Sequence, residues 1–285
     1  VSNAELSGVG IGSIEPVARK VLMIYNAEES PSVNYSVAHR FLQMPLNHMG
    51  YTVELRDALE PLPEPILPDR YAGIVLSFSG YLPEGKQAAL AAWIERQLAH
   101  KVPMAVVGGF GLTPPPGLAR KLGLESAART SAPLEPLPYH AMVGLEAPPP
   151  KPGNDVELFL LSAQEKPQAT PLVAFRGKSQ REQVAAALTS WGGFVLEPYT
   201  LVNVPGTEYS RWVIDPFTFL TQALRLPPIP VPDTTTENGR RLLLAHVDGD
   251  GFPSLAELPG SPLAAEVLLR DVFMRYRIPQ TMSVI

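Results

Sequence analysis

Cysteine is missing from all 285 residues of this chain. Its absence excludes disulfide bonds, thiolate metal centres and a cysteine nucleophile. Long apolar runs are missing too: no stretch approaches the ~18 consecutive apolar residues of a membrane-spanning helix. Nor is positive charge in excess, since 23 Lys and Arg stand against 28 Asp and Glu for a net charge of −5. A balance of that sign offers no electrostatic footprint for nucleic acid or anionic lipid. Val1-Ser2-Asn3-Ala4-Glu5 lacks the basic and apolar segments of a secretory signal. Histidine is sparse, and His39 and His48 share a helical segment without the i, i+4 spacing that pairs zinc ligands. His100 and His140 stand alone.

Proline, in contrast, is abundant: 32 residues, about twice ordinary usage, gathered in loops and connections. Hydrophobic residues make up 45% of the chain, enough for a sizeable core, and the length corresponds to about two domains.

Residues 1–19 are small and weakly patterned and read as a linker or tag remnant with room for one edge strand. Lys20 to Asn26 predicts a buried parallel strand. Val33 to Met49 follows at helical spacing, with Ser32 as N-cap and Pro45 interrupting it. Thr52 to Asp57 alternates as a strand near the sheet edge, and Tyr71 to Phe78 predicts a third, buried strand. Pro83 opens a helix through Ala99. Pro103 to Gly111 gives the fourth strand and its turn. Strands alternating with helices in this way predict an α/β fold with a doubly wound, mainly parallel sheet. A short helix over 114–123 and a proline-rich excursion over 130–153 come next. Asp155 to Ser162 and Thr170 to Arg176 read as antiparallel or edge strands, Gln180 to Ser190 as a helix, and Gly193 to Glu197 and Trp212 to Ile214 as strands. Asp215 and Pro216 cap a helix ending at Leu226. The predicted domain therefore spans 20–226, and the proline-rich 227–239 forms a semi-rigid linker to a second piece, 240–285. Tyr71, Trp93, Trp191 and Trp212 fall within apolar patterns and read as core. Tyr25, Tyr81 and Tyr199 lie in loops, where exposed aromatics stack on saccharide rings.

The most informative run is Arg241-Leu242-Leu243-Leu244-Ala245-His246-Val247-Asp248-Gly249-Asp250-Gly251-Phe252. The leucines predict a strand buried on both faces. Asp248 and Asp250 come where that strand stops and the backbone turns. Asp-Gly-Asp-Gly is ordinary turn chemistry, and it is equally a pair of hard oxygen donors beside the imidazole of His246, suited to a divalent metal or to acid–base work. Its place at the end of a strand, where α/β architectures collect reacting groups, favours a site.

This motif resembles the first motif of NodB-type polysaccharide deacetylases, usually Thr-Phe-Asp-Asp-Gly. Its Asp-Gly-Asp form is similar to that of the PelA-like multidomain proteins of Pel exopolysaccharide biosynthesis. The resemblance implies that Asp248 is the general base and Asp250 a metal ligand, with Gly249 departing from the common pattern. It also implies a (β/α)-barrel that starts here and is truncated: Ser261 to Tyr276 reads as its helix, and Ile278 to Ile285 as its next strand. The family's His-x-x-x-His does not follow Asp250. The expectation is thus a fragment, inactive by itself and holding no metal, of a longer hydrolase. That parent would use zinc or a similar divalent metal, act on an N-acetylated hexosamine polymer in the periplasm during biofilm matrix synthesis, and meet other proteins of the biosynthesis complex.

In the first domain, the strand order and the Gly108-Gly109-Phe110-Gly111 turn are similar to class I glutamine amidotransferase-like and flavodoxin-like folds. In the amidotransferases a cysteine occupies the elbow after such a strand; Gly109 or Phe110 takes its place here. That makes the domain an amidotransferase-like module without its nucleophile, positioning glycan or a partner protein. The glycines lack the spacing of a P-loop or dinucleotide fingerprint. Asn26-Ala27-Glu28-Glu29-Ser30-Pro31-Ser32 sits where flavodoxin-like proteins bind phosphate, leaving a flavin- or nucleotide-binding oxidoreductase as a further reading. Glu28 and Glu29 would repel the anion.

Overall fold

The computed structural model describes residues 17–64, 66, 69–126, 134–153, 156–177, 181–231, 236–237, 240–241, 245–277 and 280–283. Residues 1–16, with the expected edge strand and tag remnant, and the leucine run 242–244 lie outside the described residues. The chain divides into two compact units, Val1–Val231 and Pro232–Ile285.

The first unit is built on a ten-stranded mixed sheet. Strand β1 (Lys20–Tyr25) leads into 3-10 turns and a helical segment. That segment starts with π turns over Ala38–Gln43 and ends as α1 (Met44–His48). Its N-terminal cap is Ser36, whose Oγ accepts from the N–H of His39 at 3.2 Å, whereas Ser32 makes no side-chain capping bond. Pro45 is the second residue of α1, one residue past the π turns, where its missing N–H interrupts the ordinary ladder. Then come β2 (Thr52–Asp57), β3 (Tyr71–Ser77), α2 (Glu84–Ala99), β4 (Met104–Gly108) and α3 (Pro116–Leu122). The remaining sheet strands are β5 (Leu124–Ser126), β6 (Glu135–Pro136), β7 (Phe159–Leu161), β8 (Thr170–Arg176), β9 (Glu182–Thr189) and β10 (Gly192–Leu196). A small ribbon of β11 (Leu201–Asn203) and β12 (Ser210–Trp212) precedes α4 (Pro216–Ala223).

Strands β2, β1, β3, β4 and β10 lie side by side and parallel, in the 2-1-3-4-5 order of flavodoxin-like doubly wound sheets. Beyond β10 the pairing turns antiparallel through β9, β7 and β5, while β8 also pairs with β9 and carries β6 on its other side. Alternation along each parallel strand explains the two cores. Leu22, Ile24, Ile74, Leu76 and Val106 face α2 and α3, where Leu90, Trp93, Ile94 and Leu118 cover them. Val21, Met23, Val75, Ala105 and Val107 face the other way, beneath Leu42, Leu46, Phe219 and Leu220. Asp215 caps α4 as expected, accepting from the N–H groups of Phe217 and Thr218.

One element differs in kind from its expectation. Residues 182–189 form strand β9, not a helix. Val184, Ala185, Ala186 and Ala187 are all buried there, and two strands of the sheet run alongside. Alanine favours helix in isolation, but its small side chain lets both faces of an interior strand pack closely, and burial overrides propensity. Thr170–Arg176 is a strand over its full expected length, whereas two other expected strands are shorter than their patterns: among the described residues of 156–162 only Phe159–Leu161 pair as a strand, and Ile214 makes a single bridge to Val143.

In the second unit β13 (Thr236–Glu237) pairs with β14 (Arg240–Arg241). Strand β15 (Ala245–Val247) pairs in parallel with β16 (Gln280–Met282), in the register Ala245–Gln280, His246–Thr281 and Val247–Met282. Between them runs a helical segment made of α5 (Ala264–Val267), π turns over Leu268–Phe273 and α6 (Met274–Tyr276). Among the described residues of this unit only Gly249 is buried.

Candidate functional site

Asp248 follows β15 immediately and is the N-cap of a single 3-10 turn over Gly249–Gly251. Ser283, just past β16, organises the turn. Its Oγ accepts from the Gly249 N–H at 2.8 Å and donates to Asp248 Oδ1 at 3.2 Å, while its own N–H reaches the Val247 carbonyl at 3.1 Å. A Cβ on Gly249 would lie 2.2 Å from the Ser283 carbonyl oxygen. Residue 249 is thus a glycine because two strand ends meet there, which accounts sterically for the residue separating the two aspartates. Asp248 and Asp250 are both exposed. His246 is exposed on the preceding strand, with Nδ1 2.9 Å from Thr281 Oγ1. No group of three or more His, Cys, Asp or Glu side chains with metal-binding geometry occurs among the described residues. The hard oxygens of Asp248 and Asp250 suit a divalent cation, but the described part of this chain provides only an incomplete ligand set.

In the first unit, the carboxyl ends of the parallel strands carry a second group of polar residues. The switch point between β1 and β3 is where a doubly wound sheet opens a crevice for ligands. Here Glu29 closes it: its carboxylate accepts from the Ser79 and Gly80 N–H groups, each at 3.0 Å. Amides that would face a phosphate are thereby occupied by the chain's own anion. The cavity remaining between Tyr25, Ser36, Ser77 and Ser79 is only about 50 Å³, far below the ~300 Å³ of a cofactor pocket.

At the next strand, Gly108 has φ +91°, and a Cβ on it would stand 2.4 Å from the Phe78 carbonyl oxygen. Phe110, at the tip of the turn, is 1% exposed and packs edge-on against Phe159, with Trp191 and Phe194 alongside. The elbow position therefore feeds a core aromatic inward.

Sequence reasoning missed Glu197. It follows β10, donates its N–H to the Gly108 carbonyl at 2.8 Å, and accepts from Thr200 Oγ1 at 2.8 Å. Burial pushes its carboxyl above the ordinary carboxylate range, and the Thr200 hydroxyl opposes part of that rise. The one signal available was an acidic residue ending an otherwise apolar strand. Tyr199 corrects an expectation: it is 0% exposed, packs on Phe175 at 5.6 Å, and its hydroxyl has no partner among the described residues. Burial, and secondarily Tyr139, raise its pKa. It is no saccharide platform, because the Leu196 carbonyl holds its N–H and turns the ring into the core. Tyr81 is 54% exposed as expected, and Tyr71, Trp93, Trp191 and Trp212 are core residues.

Three histidines of the first unit serve local contacts: His39 with Gln43, His48 edge-on to Phe217, and His140 accepting from the Met142 N–H. No described helix is long and apolar enough to cross a membrane.

No family model and no curated protein sequence matches the chain. Among solved structures the chain is similar to a glutamine amidotransferase from Thermotoga maritima, at 16% identity and a TM-score of 0.37, over 62% of this chain and 74% of that one.

Proposed function

We propose that this chain is part of a multidomain exopolysaccharide-modifying protein, and that residues 240–285 open a metal-dependent polysaccharide N-deacetylase domain of Pel-type matrix synthesis. The observation that carries this reading is the position of Asp248 and Asp250 at the carboxyl end of a strand that a helix links to a parallel neighbour. Such an end is where (β/α) architectures hold their chemistry. A parallel strand pair also needs cover on both faces, and the near-absence of burial among the described residues of the second unit suits the opening of a larger domain. Asp248, fixed by the Ser283 hydroxyl, would take the proton of the attacking water. Asp250 would provide one oxygen to a divalent metal, zinc or similar, whose Lewis acidity polarises the acetamide carbonyl. The other ligands would be histidines of the longer protein. The substrate would be an N-acetylated hexosamine polymer, the compartment the periplasm, and the partners other proteins of the biosynthesis machinery.

The test compares this chain with a longer reading frame that continues past Ile285. The longer protein should contain His-x-x-x-His and release acetate from an N-acetylglucosamine oligomer with added zinc. Asp248→Asn should abolish that release, and the 285-residue chain should be inactive and bind zinc no better than millimolar. Micromolar zinc affinity or turnover by the short chain would overturn the assignment, as would a continuation lacking the histidines.

The first unit, on the same proposal, is a non-catalytic module that holds glycan or a partner protein. The buried Phe110 at the elbow supports this, and Glu29 on the Ser79 and Gly80 amides argues against the flavin alternative.

A further inference from the structure

At the opposite end of the first sheet, where the parallel strands begin, three cations converge on one cavity. It has a volume of about 330 Å³, and its lining includes Leu98, Lys101, Lys121, Ser190, Trp191 and Arg225. Each cation comes from the C-terminal end of a different helix: Lys101 just beyond α2, Lys121 in the last turn of α3, Arg225 just beyond α4. Cations at helix C-termini complement the helix dipole wherever they point, and that alone does not gather three of them.

Two further facts set this cavity apart. Lys101 and Arg225 adopt left-handed backbone conformations, with φ 57° and 52°. Glycine is the usual occupant of that position after a helix, and a non-glycine residue there loses stability. Second, the charge is only partly neutralised. Lys121 pairs with Glu95 at 2.7 Å, but among the described residues neither Lys101 nor Arg225 has a carboxylate partner. The nearby Glu165 carboxylate is taken by the N–H and hydroxyl of Ser190. Arg225 Nη2 donates to the Ser190 carbonyl, which anchors one end of its guanidinium. Trp191 is fixed by its indole N–H to the Leu122 carbonyl at 2.9 Å and stacks on Phe194, and with Leu98 it gives an apolar wall.

We propose that this cavity is a binding site for a small ring compound bearing an oxyanion. Lys101 and Arg225 take the charged group, and Trp191 with Leu98 contacts the ring. The volume falls within the ~300–1,000 Å³ of small-ligand sites. Positive charge is concentrated here in a chain whose net charge is −5.

The experiment titrates the 285-residue protein with sodium glucuronate, glucose 6-phosphate and neutral glucose, by calorimetry at low ionic strength and again with added sodium chloride. The expected result is saturable binding of glucuronate or glucose 6-phosphate, weakened by salt, with no binding of glucose. Whichever anion binds identifies the oxyanion as carboxylate or phosphate. Lys101→Gly and Arg225→Gly should each weaken binding tenfold or more while the melting temperature holds or rises, because glycine suits both backbones. Lys101→Asn, which also tolerates that conformation, guards against a folding defect in the glycine variant. Absence of binding by both anions, equal binding of glucose, or unchanged affinity in the variants would overturn the proposal.

Discussion

The carboxylate of Glu29 accepts the backbone N–H of Ser79 at 3.0 Å and of Gly80 at the same distance. A loop that follows β1 is thereby clasped to the loop that follows β3. Fifty residues of sequence separate the partners, so neither loop's composition hints at the contact.

Removing that clasp should loosen both loops. Glu29→Ala is expected to lower stability by about 1 kcal/mol, below the ~1.5–3 kcal/mol of hydrogen bonds to a charged group, because the site is exposed. Amide hydrogen exchange should rise at Ser79 and Gly80 while β3 stays protected. The wild-type protein should remain colourless and show no thermal shift with FMN or NADPH. A shift of several degrees would show that the crevice opens.

Glu197 makes a pH prediction. Burial raises its carboxyl pKa in the native state, so the folded protein keeps that proton to higher pH than the unfolded chain does. Stability therefore falls as pH rises from the ordinary carboxylate range through the raised native value. Glu197→Gln retains an acceptor for Thr200 and has no charge to bury. It should melt above the wild type at neutral pH, with the advantage disappearing below pH ~4, where both carry a neutral side chain. Parallel melting curves across that range check it.

Gly249→Ala tests the meeting of the two strand ends in the second unit. The new methyl would press on the Ser283 carbonyl oxygen, and relief requires the backbone to move. A cost of about 1–3 kcal/mol is expected, as for other overpacking changes. It should be read as faster proteolysis between residues 245 and 283, with the first unit's melting unchanged.

Asp215→Ala removes the cap of α4 and, with it, two backbone partners and the Thr218 hydroxyl. The expected loss is about 1–2 kcal/mol, measured by urea denaturation. Asp215→Asn should recover most of it.

Much of the first unit was legible because parallel strands buried on both faces announce themselves as continuous apolar runs. Val21-Leu22-Met23-Ile24, Ile74-Val75-Leu76 and Ala105-Val106-Val107 are all such runs. The antiparallel extension was harder: Val184 to Leu188 has an alanine-rich composition that fits either state, and only neighbours distant in sequence decide it. Of the candidate site, the strand end at Asp248 could be read from local pattern. Ser283 could not, since its role depends on β16 lying beside β15. Glu197 and the Lys101–Arg225 cavity depend on elements meeting in space, for which a single chain carries no local signal.

The fifth parallel strand, β10, reaches its place beside β4 only after the whole antiparallel extension has been threaded between them in sequence. Its hairpin with β9 is local and can form early, but docking that hairpin against β4 closes a long loop. The rate at which the first unit folds should therefore be governed by this docking. Substitutions at Phe194 or Val195 should slow refolding far more than substitutions of equal cost in β2, which joins β1 at the far edge.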